Sequence, residues 1–346
     1  MNRGRNYKGI EIFRVVAAFL VVAIHTSPLA SYSDTADFIF TRVIARVAVP
    51  FFFMVTGYFV LSKGTDIRRF LKKTALIYAA SAALYLPINV YAGHLQGWGM
   101  LDLVQQVLFE GTFYHLWYLP AAILGAWLTA FLMRKCSRGT CFAVVGVLYI
   151  LGLLGDSYWG LISGVPVVSS VYNAIFAVMG YTRNGLFFAP MFMLLGASLK
   201  DVKPRSTAAD ALGLALSFAL MLAEALLARA QGWQRHDSMY VMLPVVMYFL
   251  FALLARYKGT VRLPLGNFSL LVYIIHPAVI IVVRGAARVL GLWDIFVENS
   301  LGHYIAVCLC SAAASAVLLW IWSFIKPQKV SYTSRAWVEV DRAVLI

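Results

Sequence analysis

Apolar residues fill long runs of this chain, and the polar ones collect between them. Ten runs read as membrane spans: about 10–27, 40–62, 70–92, 116–134, 140–155, 185–200, 208–229, 239–256, 268–290 and 302–325. A bilayer core of about 30 Å takes about 20 helical residues, so the pattern predicts an all-α, polytopic membrane protein of about ten helices. The fifth and sixth runs are short, which predicts tilt, a break or partial insertion. Met100–Phe109 lies in a connection without Lys or Arg and predicts an interfacial helix. The 155–184 connection, rich in Gly, Ser and aromatics, predicts a long outer loop of the kind that covers a site. Past Ile325 the pattern turns polar and then alternates over Ala336–Val340, which predicts a linker entering a strand. A strand of five residues does not fold alone, so 1–325 reads as the membrane domain and 326–346 as the start of a soluble one.

The first run, EIFRVVAAFLVVAIHTS, carries two ionisable side chains. Arg14 and His25 are eleven residues apart, which on a helix returns to within about 20° of the same face, with a separation of about 16 Å. Charged groups inside a span are costly unless they meet a partner or a wet cavity, so the pair predicts a catalytic or binding role. The competing reading is a snorkelling Arg14 paired with Glu11, one turn away, plus a structural histidine.

Other candidates follow in chain order. Arg46 is a second intramembrane cation, with Pro50 one turn on, and predicts a broken helix lining a cavity. Lys63, Arg68, Arg69, Lys72 and Lys73 cluster in SKGTDIRRFLKK. They fit lipid headgroups, or the phosphates of a nucleotide-like donor such as coenzyme A. His115 opens the fourth span beside Trp117 and Tyr118, where a histidine commonly decorates the aromatic belt. His276 precedes Pro277, whose ring frees a carbonyl, and serves either helix packing or a site. His94, His236 and His303 read as loop residues without a signal.

Charge sets the expected orientation. Placing the N-terminus in the cytoplasm puts 21 of the 29 Lys and Arg on that side, and most acids of the connections opposite. An even number of spans, with both termini cytoplasmic in a bacterial plasma membrane, is the expectation. A net charge of +14 would suggest nucleic acid in a soluble protein, but with 62% hydrophobic residues no nucleic-acid partner is expected and the lipid bilayer is. The four cysteines, Cys136, Cys141, Cys308 and Cys310, have no zinc-type spacing, and no metal is expected.

These segments together resemble the acyltransferase-3 family of integral membrane proteins. Arg14 and His25, RVAVPFFFMVTGYF, DIRRFLKK, HLWYLP, TRNGLFFAPMFMLLG and SLLVYIIHP run in that family's order over about 1–325. The resemblance implies a ten-helix fold with His25 as general base on an acceptor hydroxyl. It associates Arg14 and the cations Arg68, Arg69, Lys72 and Lys73 with acyl-CoA. Arg46, His115, Trp117, Arg183, Asn184 and His276 are then expected to bind substrate. The tail SRAWVEVD resembles the first strand of an alanine racemase domain, which uses PLP. The fused architecture resembles the membrane-bound serine racemases of vancomycin resistance. It implies no cofactor in this segment, PLP in a racemase domain beyond it, L-serine or another hydroxyl-bearing molecule as substrate, and a homodimer through that domain. An acyl-CoA-dependent O-acyltransferase and a structural anchor are the alternatives.

Overall fold

The computed structural model describes residues 7–63, 67–202, 205–261 and 263–325. The expected linker and strand at 326–346 lie outside the described residues, as do Arg3 and Arg5. The helices in chain order are α1 (Lys8–Thr26), α2 (Asp34–Phe38), α3 (Ala48–Phe59), α4 (Ile67–Tyr91), α5 (Met100–Gln105), α6 (Tyr118–Lys135), α7 (Arg138–Leu154), α8 (Trp159–Ile162), α9 (Pro166–Met179), α10 (Ala189–Ser198), α11 (Thr207–Ala230), α12 (Leu243–Arg256), α13 (Leu265–Val289) and α14 (Ser300–Ile325). No strand occurs among the described residues. Among the described residues, six stretches are long and apolar enough to cross a membrane: Lys8–Thr26, Asp34–Phe59, Ile67–Tyr91, Thr207–Ala230, Leu265–Val289 and Ser300–Phe324. All ten runs read from the sequence contain a helix, and the protein is an all-α, multi-pass membrane protein.

The chain forms two compact units. The first comprises 1–52 and 251–346. In it α1 packs on α13 and α14 around a core of Ala18, Val22, Val272, Ile280, Val283 and Val307. The second unit, 53–250, has an aromatic centre. Phe53 stacks on Tyr118 at 4.9 Å, and Phe188 meets Phe192 edge-on at 5.0 Å. There α3 and α10 cross at closest approach through glycines. A Cβ at Gly57 would overlap the Met193 carbonyl, and one at Gly196 the Met54 carbonyl. Small residues let backbones meet this way where lipid gives no hydrophobic push.

Two details differ from the sequence reading. The 155–184 connection is not an open loop, because α8 and α9 lie within it. Pro166 begins α9, a position where the missing N–H costs nothing. The second run breaks upstream of Pro50 rather than at it. A π-type turn at Ile39–Val43 and a 3-10 turn at Ile44–Val47 precede α3, and Pro50 lies in α3's first turn. Proline there gives no hydrogen bond to the Arg46 carbonyl four residues back, so the α-helix starts after that residue.

Candidate functional site

Both ends of α1 are fixed. At the start the Gly9 N–H donates to the Tyr257 carbonyl at 3.0 Å, and a Cβ at Gly9 would overlap the Leu254 carbonyl. At the far end Ser27 caps the helix in the left-handed conformation, φ 46° and ψ 67°, with its N–H on the Ala23 carbonyl. A non-glycine residue there is held by its surroundings. The Ser300 hydroxyl donates to the Pro28 carbonyl at 2.9 Å and accepts from the Ser31 N–H at 3.1 Å.

Between these anchors, Arg14 is fully buried. Its Nε lies 3.6 Å from Glu11 Oε2, and the Glu11 side chain is 22% exposed. The pairing with Glu11 is therefore present, but the cation is buried and only the half-buried carboxylate reaches water. Arg46, half-buried, sits in the 3-10 turn that packs against α1. His25, eleven residues up α1, stacks its ring on His276 of α13, with centroids 5.3 Å apart and planes at 29°.

The orientation of His276 follows from its neighbour. Pro277 has no N–H, so the Tyr273 carbonyl four residues earlier loses its helical donor. His276 Nδ1 lies 2.8 Å from that carbonyl and 3.1 Å from the Val272 carbonyl. Carbonyls only accept, so Nδ1 carries the proton, and in the neutral ring Nε2 holds the lone pair. Helix α13 runs on through Pro277 to Val289. The first unit thus holds a buried guanidinium near the start of α1, which can pair an anion, and, eleven residues on, a half-buried histidine stacked on a second histidine of fixed tautomer, which can take a hydroxyl proton.

The second unit holds the other expected residues. His115 is buried among rings, with Tyr85 at 5.0 Å and Phe113 at 5.7 Å, so it is no belt residue. The Arg183 guanidinium lies between Trp117 and Tyr181, 4.6 Å from each ring centroid. Asn184 is buried and works as a turn organiser. Its Oδ1 accepts from the N–H groups of Leu186 at 2.9 Å and Phe187 at 3.1 Å, and its Nδ2 donates to the Tyr181 carbonyl at 2.9 Å. Arg68, Arg69, Lys72 and Lys73 occupy the first two turns of α4, with Arg68 and Lys72 exposed. Cations at a helix N-terminus oppose the macrodipole, which favours an anion nearby.

Sequence reasoning missed three features. Arg235 lies 3.7 Å from the Phe176 ring centroid and 5.0 Å from that of Tyr181. Glu110 is half-buried near both Arg183 and Arg235. Burial pushes its carboxyl up, and the two arginines pull it partly back. Asp156 Oδ1 accepts from the N–H groups of Ser238 at 2.8 Å and Met239 at 2.9 Å, and its carbonyl takes the Arg235 N–H at 3.0 Å. His236 Nδ1 lies 2.7 Å from Ser238 Oγ and 3.6 Å from Asp156 Oδ2, and His303 lies within α14 rather than a loop. The available signal was charge: Arg183 and Arg235 are among the eight Lys and Arg outside the expected cytoplasmic set.

With this geometry in place, comparison with known proteins identifies the family. The acyltransferase-3 family, described as an acyltransferase domain, matches residues 7–320. The chain belongs to the acyltransferase-3 family. Among relatives of this acyltransferase-3 chain, two from Enterococcus faecalis are named amino-acid racemase. One is 42% identical over 99% of this chain and 49% of its own length, and the other 36% identical over 90% and 46%. A protein of Enterococcus gallinarum named serine/alanine racemase is 36% identical over 87% of this chain and 44% of its own. The acyltransferase-3 chain spans about half the length of these curated relatives. No solved structure matches it.

Proposed function

We propose that this chain is the membrane half of a vancomycin-resistance-type serine/alanine racemase, binding L-serine and importing it for conversion to D-serine by a cytoplasmic racemase domain. The observation carrying this reading is that relatives named racemase align along 87–99% of the chain. Arg14 then pairs the substrate carboxylate at one point of its path and His25, backed by His276, meets its hydroxyl at another, because about 16 Å along α1 exceeds the span of one serine. PLP belongs to the racemase domain and takes no part in the steps assigned to these residues.

A second reading, acyl-CoA-dependent O-acyl transfer, is favoured by the histidine stack and the four cations on α4. Here His25 removes the acceptor hydroxyl proton, the oxygen attacks the thioester carbonyl, and the CoA thiolate leaves.

The test is uptake of labelled L-serine by cells expressing the complete protein, against vector and against Arg14→Ala and His25→Ala. Uptake above vector that both variants lose, with thermal stability of the purified protein retained, supports import. Wild-type uptake at the vector level overturns it. Salt-sensitive CoA binding that disappears when Arg68, Arg69, Lys72 and Lys73 are neutralised supports acyl transfer instead.

A further inference from the structure

Three connections of the second unit converge on one charged, aromatic-walled cluster. Glu110 ends the π-type turn after α5, Arg183 follows α9, and Arg235 lies between α11 and α12. We propose that Glu110, Arg183 and Arg235, walled by Trp117, Phe176 and Tyr181, bind a small zwitterionic α-amino acid. The choice of ligand rests on the amino-acid-handling reading above, while the site is distinct from the Arg14–His25 set.

The argument starts from how each charge is held. Arg183 is fixed by two ring faces at equal distance, and Arg235 by Phe176 and by its Nη1 donating to the Gly180 carbonyl at 3.0 Å. Rings hold a guanidinium by its faces and leave its N–H edge for an in-plane acceptor. Arg235 is exposed and gives one of its donors to Gly180, so its fork is accessible to a carboxylate. Glu110 Oε1 is buried and makes no hydrogen bond. Both arginines are near enough to act on the Glu110 carboxylate electrostatically, so it is not a remote surface acid. A carboxylate beside two guanidiniums offers an anion seat and, next to it, a cation seat, which is the charge pattern of an α-amino acid.

Local backbone geometry maintains the cluster. Gly180 has φ +67°, and a Cβ there would overlap Glu110 Oε1, so glycine is what lets the acid approach. The Gln105 side chain ties the same region together by donating to the Phe176 carbonyl at 3.3 Å. Asp156 holds the backbone of Arg235 in register.

The test is binding by the purified full chain in lipid nanodiscs, with labelled L-serine competed by 3-hydroxypropionate, ethanolamine and inorganic phosphate. The first competitor lacks the ammonium and the second the carboxylate. L-Serine is expected to bind, with each half-molecule weaker by about tenfold or more, since each forfeits one ionic contact. Glu110→Gln should narrow the gap between L-serine and 3-hydroxypropionate, and Arg235→Gln the gap between L-serine and ethanolamine. Arg235 is exposed, so its variant keeps the test valid if Glu110→Gln does not fold. Equal binding of 3-hydroxypropionate to wild type, phosphate competing better than serine, or selectivity unchanged in Arg235→Gln would overturn the site. Serine binding in a protein that shows no uptake would keep this site and overturn import. Uptake indifferent to Glu110 and Arg235 would do the reverse.

Discussion

At the scale of single residues, burial decides how each charge reads. Arg14 lies fully inside, with Glu11 as a close neighbour. Glu11 is half-buried and reaches water, so what Arg14→Ala removes is the packing and the contacts of the buried guanidinium itself. Arg14→Ala is therefore expected to lower stability as well as uptake, whereas Arg14→Lys keeps the charge and loses the planar fork. If a carboxylate is gripped there, Arg14→Lys keeps most of the thermal stability and still loses serine uptake. Uptake at the wild-type level in Arg14→Lys would reduce Arg14 to a point charge. Glu110 behaves differently, because burial is the largest influence on it and raises its carboxyl from the ordinary value of 4.5. Between that value and the raised one the folded state binds more protons than the unfolded state. Stability then falls as pH rises through the window from about 4.5 upward and is level above it. Glu110→Gln should flatten that slope in thermal unfolding measured across pH. An unchanged profile would mean the acid is not desolvated on folding.

At the scale of elements, the chemistry depends on how helix ends and crossings are fixed. Asp156 gathers four backbone N–H groups from the 231–242 connection: Arg235 and His236 on its carbonyl, and Ser238 and Met239 on its side-chain Oδ1. Asp156→Ala keeps the carbonyl but orphans the Ser238 and Met239 N–H groups, and at about 1–3 kcal/mol for each orphaned donor it should destabilise the protein by several kcal/mol. At the α3–α10 crossing a Cβ on Gly57 meets backbone, which cannot rotate away as a side chain can. Gly57→Ala should therefore lower the unfolding temperature of the purified protein by more than Gly164→Ala does, since nothing lies within 4 Å of a Cβ at Gly164. Equal effects would show that the crossing adapts. These elements also mark what sequence reveals. The ten apolar runs were legible because lipid demands continuous hydrophobicity, and Arg14 and His25 because it penalises charge. Pro277 gave away His276, since a missing donor must be answered locally. The break before α3 was legible only as a break, because its position depends on which carbonyl loses its partner. Helix α9 was hidden by its serines and asparagine, which match a loop. Glu110 and Arg235 were hidden because tertiary convergence of three connections carries no periodicity.

At the scale of the whole molecule, orientation is the property on which any import or transfer reading depends. Lys and Arg resist translocation, so the basic sequence stretches 63–73, 134–138 and 200–205 should face the cytoplasm. The 28–33 turn, the α5 region and the 155–184 connection should face outward. The Glu110–Arg183–Arg235 cluster would then meet substrate first, since two of its three segments belong to those outward connections. The native Cys136, Cys141, Cys308 and Cys310 are free thiols, so a background with all four replaced by serine permits single-cysteine mapping. Cysteines placed at Tyr32, Leu101 and Val165, all exposed, should react with an impermeant maleimide in intact cells. One placed at Arg68 should react only after permeabilisation. Labelling of the Arg68→Cys variant from outside would invert the topology, placing the α4 cations out of reach of cytoplasmic acyl-CoA and the Glu110 cluster on the inner face.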